Sequence, residues 1–361
     1  MTTFGESHGE MIGAILDGVP SGLKIDRELI SYRLSLRKGG RNSFVTPRNE
    51  DDEIEIISGL KDEIATGAPL AFIIKNKNIK KRDYQDLVGK FRPGHAHYTY
   101  LKKYGLFEES GGGRASARET AMRVACGAVA EMILREVGIQ SISFVSKIKD
   151  VVIDSCDDFF KTLFCEPTLI TDKSLFIPDE EKNARAENIL DGLIKQGDSL
   201  GGRITFCAQF LPVGLGDPVY EKISANLAKA MMSIPAVRGF ELGNGEDLSE
   251  IHGSQFNDEM TLDGFSSNHS AGILGGITNG ELLYGHVHFK PTSSIRKKQK
   301  TLNAEGKEVE LEMKKGRHDP CVAIRGSVVV KAMLDLTLAD ALLINMSTRL
   351  DDLKKKYERI I

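Results

Sequence analysis

Five short segments combine the residue types that chemistry on an anionic ligand requires. In Gly111-Gly-Gly-Arg114-Ala115-Ser116-Ala-Arg118-Glu119, three glycines leave backbone amides uncovered and two arginines flank the start of a helix. Bare amides at a helix N-terminus, with guanidinium forks beside them, make an anion or phosphate site. The plain alternative is a loop before a well-capped helix, and the paired arginines favour binding over it. In Phe91-Arg92-Pro-Gly-His95 a Pro-Gly turn fixes a guanidinium and an imidazole close together, where the imidazole can act as an acid near neutral pH. Lys290-Pro291-Thr292-Ser293-Ser294 offers a cation, amides and hydroxyls, as a phosphate requires. Gly316-Arg317-His318-Asp319-Pro-Cys321 sets polar groups at the mouth of an expected strand, and Gly5-Glu6-Ser7-His8-Gly9 is a polar cluster before glycine. Taken singly, the His95 turn and the Gly5–Gly9 cluster read better as turns bonded to backbone, while the plain alternatives are a salt-bridged loop for the Gly316 segment and a polar turn after the strand 286–289 for Lys290–Ser294.

These segments point to an enzyme that binds anionic ligands, phosphorylated ones first among them, in a glycine-lined site rich in Arg and His, without naming the reaction. A nucleic-acid-binding protein is the competing class, on the strength of Arg296-Lys-Lys-Gln-Lys300 and Lys80-Lys-Arg82. Neither run is interleaved with stacking aromatics, so solvated charged loops are the better reading of both.

The elements that must hold these residues read as alternating helix and strand. Asp26 caps a helix with an apolar stripe at Leu29, Leu34 and Leu36, stopped by Arg37-Lys38-Gly39. Ser116-Ala-Arg-Glu119 fits a capping box for a helix that runs through Met122, Val129, Ile133 and Leu134 to Gly138. Further helices are expected at 180–196, 221–233 and 332–346, and strands at 54–57, 69–74, 203–210, 286–289 and 321–330; residues 146–180 read as irregular. A faint echo links Ser7-His8 through Gly13 to Asp17-Gly18 with Asn268-His269 through Gly272 to Asn279-Gly280. Glycine-rich turns produce such echoes by chance, and a duplication is not inferred from it.

Composition bounds the rest. The 361 residues, 41% hydrophobic and 27% charged, are those of a globular chain large enough for one big layered core or two smaller ones. With 48 Lys and Arg against 51 Asp and Glu, a global polyanion-binding surface is not expected. The five cysteines are scattered without metal spacing, so neither a disulfide framework nor a metal site is expected. No apolar stretch approaches the ~20 residues of a membrane span, and the first residues carry no export signal, which predicts a cytoplasmic protein.

In order and nearly end to end, these segments, with Thr3-Phe4-Gly5 and Ser267-Asn-His269 through Gly275-Gly276, resemble the chorismate synthase family. The resemblance implies an α+β fold, a β-α-β sandwich in a single large layered domain assembled as a homotetramer. It implies a carbon–oxygen lyase of aromatic amino-acid biosynthesis, the shikimate pathway. That enzyme forms chorismate from 5-enolpyruvylshikimate 3-phosphate by anti-1,4-elimination of phosphate, using reduced FMN without net redox change, with NADPH a candidate reductant. By position, His8 would protonate the departing phosphate, His95 would stabilise the reduced flavin, and Asp319 would assist flavin N5; Ser7 and Ser116 would complete the relay. FMN would be held by Arg114, Ala115, Ser116, Pro235, Ala236, Gly275, Lys290, Pro291, Thr292, Ser293, Ser294 and Arg317. Substrate or NADP would be bound by Arg37, Arg48, Arg92 and Arg118. The competing enzyme is a flavin reductase using the same cradle.

Four departures from the family pattern carry expectations of their own. The first motif stands about ten residues nearer the start than is usual, which predicts either a missing N-terminal strand or a misassigned start. His97 replaces an aspartate and is expected to make His95 less readily protonated. Pro235 replaces an asparagine, removing an amide donor, and Ser43 stands where a second arginine is usual, with Arg41 or Arg48 as its substitute.

Overall fold

The computed structural model describes residues 1–48, 50–77, 87–106, 112–153, 157–243, 245, 248–313 and 319–357. Two antiparallel sheets enclose a layer of helices. The first sheet holds β1 (Thr2–Gly5), β2 (Met11–Leu16), β3 (Glu55–Ser58) and β6 (Leu70–Lys75) in the order β1-β2-β6-β3. The hairpin of β4 (Leu60–Lys61) and β5 (Ile64–Ala65) joins β3 to β6. The second sheet holds β7 (Gln140–Ile148), β8 (Val151–Val152), β9 (Gly202–Gln209), β10 (Val237–Leu242) and β15 (Leu283–Phe289) in the order β10-β15-β9-β7-β8. Three further hairpins are β11 (Met260–Thr261) with β12 (Gly264–Phe265), β13 (Ile273–Leu274) with β14 (Ile277–Thr278), and β16 (Gln299–Leu302) with β17 (Glu308–Leu311).

Alternation dictates which way the strands face. In β6 the side chains of Leu70, Phe72 and Ile74 are buried, and the register Met11↔Lys75 to Leu16↔Leu70 brings Ile12, Ala14 and Leu16 to the same covered face. Between the sheets lie α1 (Arg27–Arg37), α3 (Thr120–Glu136), α7 (Ile223–Met232) and α9 (Ala323–Asn345). Helix α3 meets β2, α9 covers β7 and β9, and α3 and α9 pack on one another. One continuous apolar core runs from Ile12 to Ala339 through all three layers. Outside this layer, α2 (His97–Tyr104) follows the Arg92–His95 turn, α4 (Asp157–Cys165) packs on β7, and α6 (Glu180–Gln196) lies by β8. The short α5 (Thr168–Thr171), α8 (Gly253–Phe256) and the terminal α10 (Leu350–Tyr357) complete the elements named here. None of the described helices is long and apolar enough to cross a membrane.

The caps read from sequence form where the chain supplies a local partner. Asp26 accepts from the Leu29 amide at 2.9 Å, and Gly197 ends α6 in the left-handed conformation. Ser116 also caps, but it opens a 3-10 turn over Ala117–Glu119, with the α-helix starting at Thr120. Glu119 does not reach back to Ser116: it pairs with Arg123, four residues on, at 3.0 Å.

Three expectations fail. Residues 321–330 are not a strand but the entry of α9, whose Val328, Val329 and Val330 are buried among helices and the second sheet. A β-branched run buried on every side has no periodicity to separate helix from strand. The segment 146–180 contains α4 and α5 and the end of β7. The opening strand is present, with Thr2–Gly5 paired to Ile12–Ile15. The echoed segments also differ in structure, one forming the single strand β2 and the other the β13–β14 hairpin.

Candidate active site

A cavity of about 800 Å³ opens where helix ends converge: the last turn of α1, the first turn of α2, the entries of α3 and α9, the end of α7 and the segment after β15. Its described lining carries ten Arg and Lys side chains against three carboxylates, those of Glu50, Glu119 and Asp319. Charge that is near balance over the whole chain is thus concentrated locally as cation.

The deepest cations share one carboxylate. Asp52, itself buried, accepts from Arg37 Nη2 at 2.6 Å through one oxygen and from Arg118 Nη1 through the other. Its backbone is left-handed, with φ of 52°, a conformation Asp tolerates better than most residues. Burial alone would raise the Asp52 carboxyl; the two guanidiniums outweigh it and hold the group below the usual carboxylate range. Burial, with Arg325 and Arg118 close by, brings Arg37 down to about 10, so it remains a cation at neutral pH. Arg118 Nε donates to Asn76 Oδ1 at 3.0 Å, while Asn76 Nδ2 donates to the carbonyls of Glu6 and Gly9. That amide therefore ties the turn carrying Ser7 and His8 to an arginine of the cavity.

Around this pair the other groups are placed by long-range bonds. Arg92 Nη1 donates to Ser294 Oγ at 2.8 Å, and Lys290 Nζ donates to the Gly94 carbonyl. Arg48 pairs with Glu50 at 2.8 Å and donates to the Ser7 carbonyl at 3.1 Å. Asp319 accepts from the Thr46 amide at 2.9 Å and from Arg325 Nη1 at 3.0 Å; Arg325 Nε in turn donates to the Arg37 carbonyl. Arg114 donates to the carbonyls of Gly5 and Thr3, which pins the glycine-rich turn to β1.

His95 lines the cavity, and its ring meets His97 edge-on with centroids 4.3 Å apart. Burial and the neighbouring Arg92 push His97 down to about 4, so its ring is neutral at neutral pH. His97 therefore adds no second positive charge against His95. His8 is buried in the turn after β1, its Nδ1 2.9 Å from Ser7 Oγ; it does not line the cavity, but the carbonyls of its neighbours Ser7 and Glu6 accept from Arg48 and Asn76.

Most of the expected residues converge here. Arg37, Arg48, Arg92, His95, Arg114 to Ser116, Arg118, Pro235, Ala236, residues 290–294 and Asp319 all line the one cavity. Ser7, His8 and Gly275 do not; Gly275 follows β13 in its hairpin, with open space at its α-carbon. Gly111 and Arg317 lie outside the described residues, as do residues 80–82. Of the two substitutes for the arginine missing at Ser43, Arg48 faces the cavity. Arg41 is spent on the carbonyls of Thr171 and Lys173 and on the Phe176 ring. Pro235 lines the wall, and the next residue, Ala236, is left-handed at φ 73° and accepts from the Lys290 amide.

Sequence reasoning missed Asp52, Asn76, Thr46, Arg123, Arg238 and Arg325. Arg123 was findable, one helical turn after Glu119. Arg325 was hidden by reading its segment as a strand, and nothing local separates Asp52 from its acidic neighbours.

The cavity fits a phosphate-bearing group. Arg118 Nη2 and Thr292 Oγ1 are buried in its wall and make no hydrogen bond among the described residues, so a donor pair is left for a ligand. Gly94, at φ 70°, sits where an added Cβ would come 3.4 Å from Ser293 Cβ and 3.7 Å from Lys290 Nζ, beside the hydroxyl-rich segment. A family model described as chorismate synthase matches residues 1–343. The chain is 45% identical to a chorismate synthase of Helicobacter pylori strain J99 over 99% of its own length and 97% of the relative's. It is 48% identical to one of Campylobacter concisus with the same coverage. A solved structure titled "Crystal Structure of Chorismate Synthase" superposes with a TM-score of 0.73 at 32% identity, covering 99% of this chain and 96% of that one. The chain belongs to the chorismate synthase family.

Proposed function

We propose that the chain makes chorismate from 5-enolpyruvylshikimate 3-phosphate by anti-1,4-elimination of phosphate, with reduced FMN held in the same cavity. The observation that carries this reading is the excess of ten cationic side chains over three carboxylates in the described lining of one 800 Å³ cavity. The substrate has a phosphate and two carboxylates and FMN has another phosphate, so both ligands are anions that planar guanidinium forks recognise. The volume lies in the upper part of the range of small-molecule sites, roughly 300–1,000 Å³, as two ligands side by side require.

Arg114, Ala115, Ser116, Pro235, Ala236 and residues 290–294 would hold FMN. Reduced FMN, when bound, supplies an electron-rich ring whose N5 can take up the substrate's ring proton. Arg37, Arg48, Arg92 and Arg118 would bind the substrate's anions. During elimination the C–O bond to phosphate and a ring C–H bond break while a C=C bond forms, so no electrons are gained overall. His8 would give a proton to the departing phosphate, with Ser7 Oγ at its Nδ1 fixing the ring. His95 would sit by the flavin as a neighbour of the neutral His97 ring. Asp319, braced by Thr46 and Arg325, would act at the proton-accepting side.

The continuous core supports reading the chain as one layered domain. Exposed apolar side chains such as Val213, Tyr220 and Leu262 suit burial against further copies in a homotetramer, which we place in the cytoplasm by analogy with the family. NADPH is a candidate reductant of FMN, with an external reductant as the alternative. The test is anaerobic: reduced FMN and 5-enolpyruvylshikimate 3-phosphate are mixed with the protein and chorismate is measured. Chorismate formation is expected; its absence with folded protein refutes the reading, and NADPH oxidation with FMN alone would identify a flavin reductase.

A further inference from the structure

We propose that Asp52 is a positioning residue of the anion site, a carboxylate that holds Arg37 and Arg118 side by side so that both guanidiniums serve one ligand. The proposal deepens the reading of the cavity as an anion site and rests on it. Two guanidiniums set close together repel each other, and in a buried wall that repulsion is poorly screened. Asp52 answers each with a separate oxygen, Oδ2 to Arg37 and Oδ1 to Arg118, and both side chains still line the cavity. The three charges sum to a single excess cation, which lowers the cost of burying them while leaving Arg118 Nη2 without a protein partner among the described residues.

The surroundings brace the carboxylate's partners as well. Arg118 is held from its other edge by Asn76, and Arg37 lies in the last turn of α1, whose carbonyl accepts from Arg325. Both guanidiniums thus line the cavity while they stay bonded to Asp52. The backbone at Asp52 is left-handed, a conformation that is costly for most residues and that recurs where a side chain must be delivered to a fixed point. Asp52 itself is absent from the lining, so its effect reaches the ligand through the two arginines.

The decisive variant is Asp52→Asn, since Asn has the same shape and tolerates the same backbone. Its amide group offers hydrogens where one guanidinium needs an acceptor, so one fork must turn away. With reduced FMN present, KM for the phosphorylated substrate is expected to rise on the order of tenfold, as for loss of one charge-assisted contact, while kcat stays within about threefold. Binding of inorganic pyrophosphate to the whole protein, measured by calorimetry, is expected to weaken by a similar factor, and this readout does not depend on turnover. A purely structural role would lower the melting temperature and leave both KM and pyrophosphate affinity of the folded protein as in wild type; that result overturns the proposal. If wild type binds pyrophosphate and loses it on Asp52→Asn but makes no chorismate, the proposed reaction fails and the brace stands. Should Asp52→Asn not fold, Asp52→Glu decides, because it keeps the charge but shifts the oxygens by about one bond length. Several-fold weaker pyrophosphate binding is then expected, and unchanged affinity overturns the brace.

Discussion

Exchanging Gly127 for Ala in the middle of α3 sets two known magnitudes against each other. In an open helix the exchange stabilises by about 1 kcal/mol, because Ala has less backbone entropy to lose. Here the added Cβ would lie 2.4 Å from Ala332 Cβ, 2.6 Å from its Cα and 2.9 Å from its carbonyl oxygen. Carbon atoms in contact rest at about 3.5–4.0 Å, so α3 and α9 must part by roughly 1 Å. The sheets on either side leave little room, since α3 meets β2 and α9 covers β7 and β9. Overpacking of this kind costs about 1–3 kcal/mol, which exceeds the propensity gain at all but its lower limit. A net loss of about 1 kcal/mol is expected, read as a lower urea midpoint at unchanged slope. The same displacement reaches the cavity, because Arg118 leads into α3 while Asp319 and Arg325 flank the start of α9. Pyrophosphate affinity should therefore fall with stability. A midpoint equal to or above wild type would refute the reasoning, for it would show that this helix contact has slack.

Two further outcomes can be checked directly. Gly112 has φ of 125°, and an added Cβ would lie 3.0 Å from His95 Cε1, so Gly112→Ala is expected to displace the imidazole and slow turnover severalfold. Pyrophosphate binding at the Arg37–Arg118 end should be largely kept, and unchanged kcat would remove Gly112 from the positioning of His95. Acid should unfold the protein through its paired carboxyls. Asp52 and Glu131 both lie below their ordinary range in the folded chain: burial opposes this, but Arg37 and Arg118 in one case and Lys331 and Arg33 in the other prevail. Their stabilisation is complete above the ordinary carboxyl values of about 4 and is lost as pH falls through the lower folded values, because the unfolded chain takes up protons first. The urea midpoint should thus hold from pH 7 to about 5 and fall below about 4, less steeply in Asp52→Asn. Asp335, raised by burial, acts in the other direction and in another window, adding stability as pH falls toward the ordinary carboxyl value and no slope below it; a midpoint still unchanged near pH 3 would contradict the assignment.

The amino-acid sequence alone determined what neighbours along the chain can decide. The Asp26 cap, the glycine stop after α6 and the strand β6 depend on contacts within a few residues, and they appear where expected. The family pattern carried more of the site than periodicity could, because it records which distant segments act together. Only the tertiary structure decided the rest. It made 321–330 a helix entry, since a valine-rich segment buried on all sides takes its conformation from the layers around it. It joined Arg92 to Ser294 and Thr46 to Asp319 across more than two hundred residues of chain. It also singled out Asp52 from an acidic run, because a carboxylate's partner is fixed by where two helices end, and no local spacing encodes that.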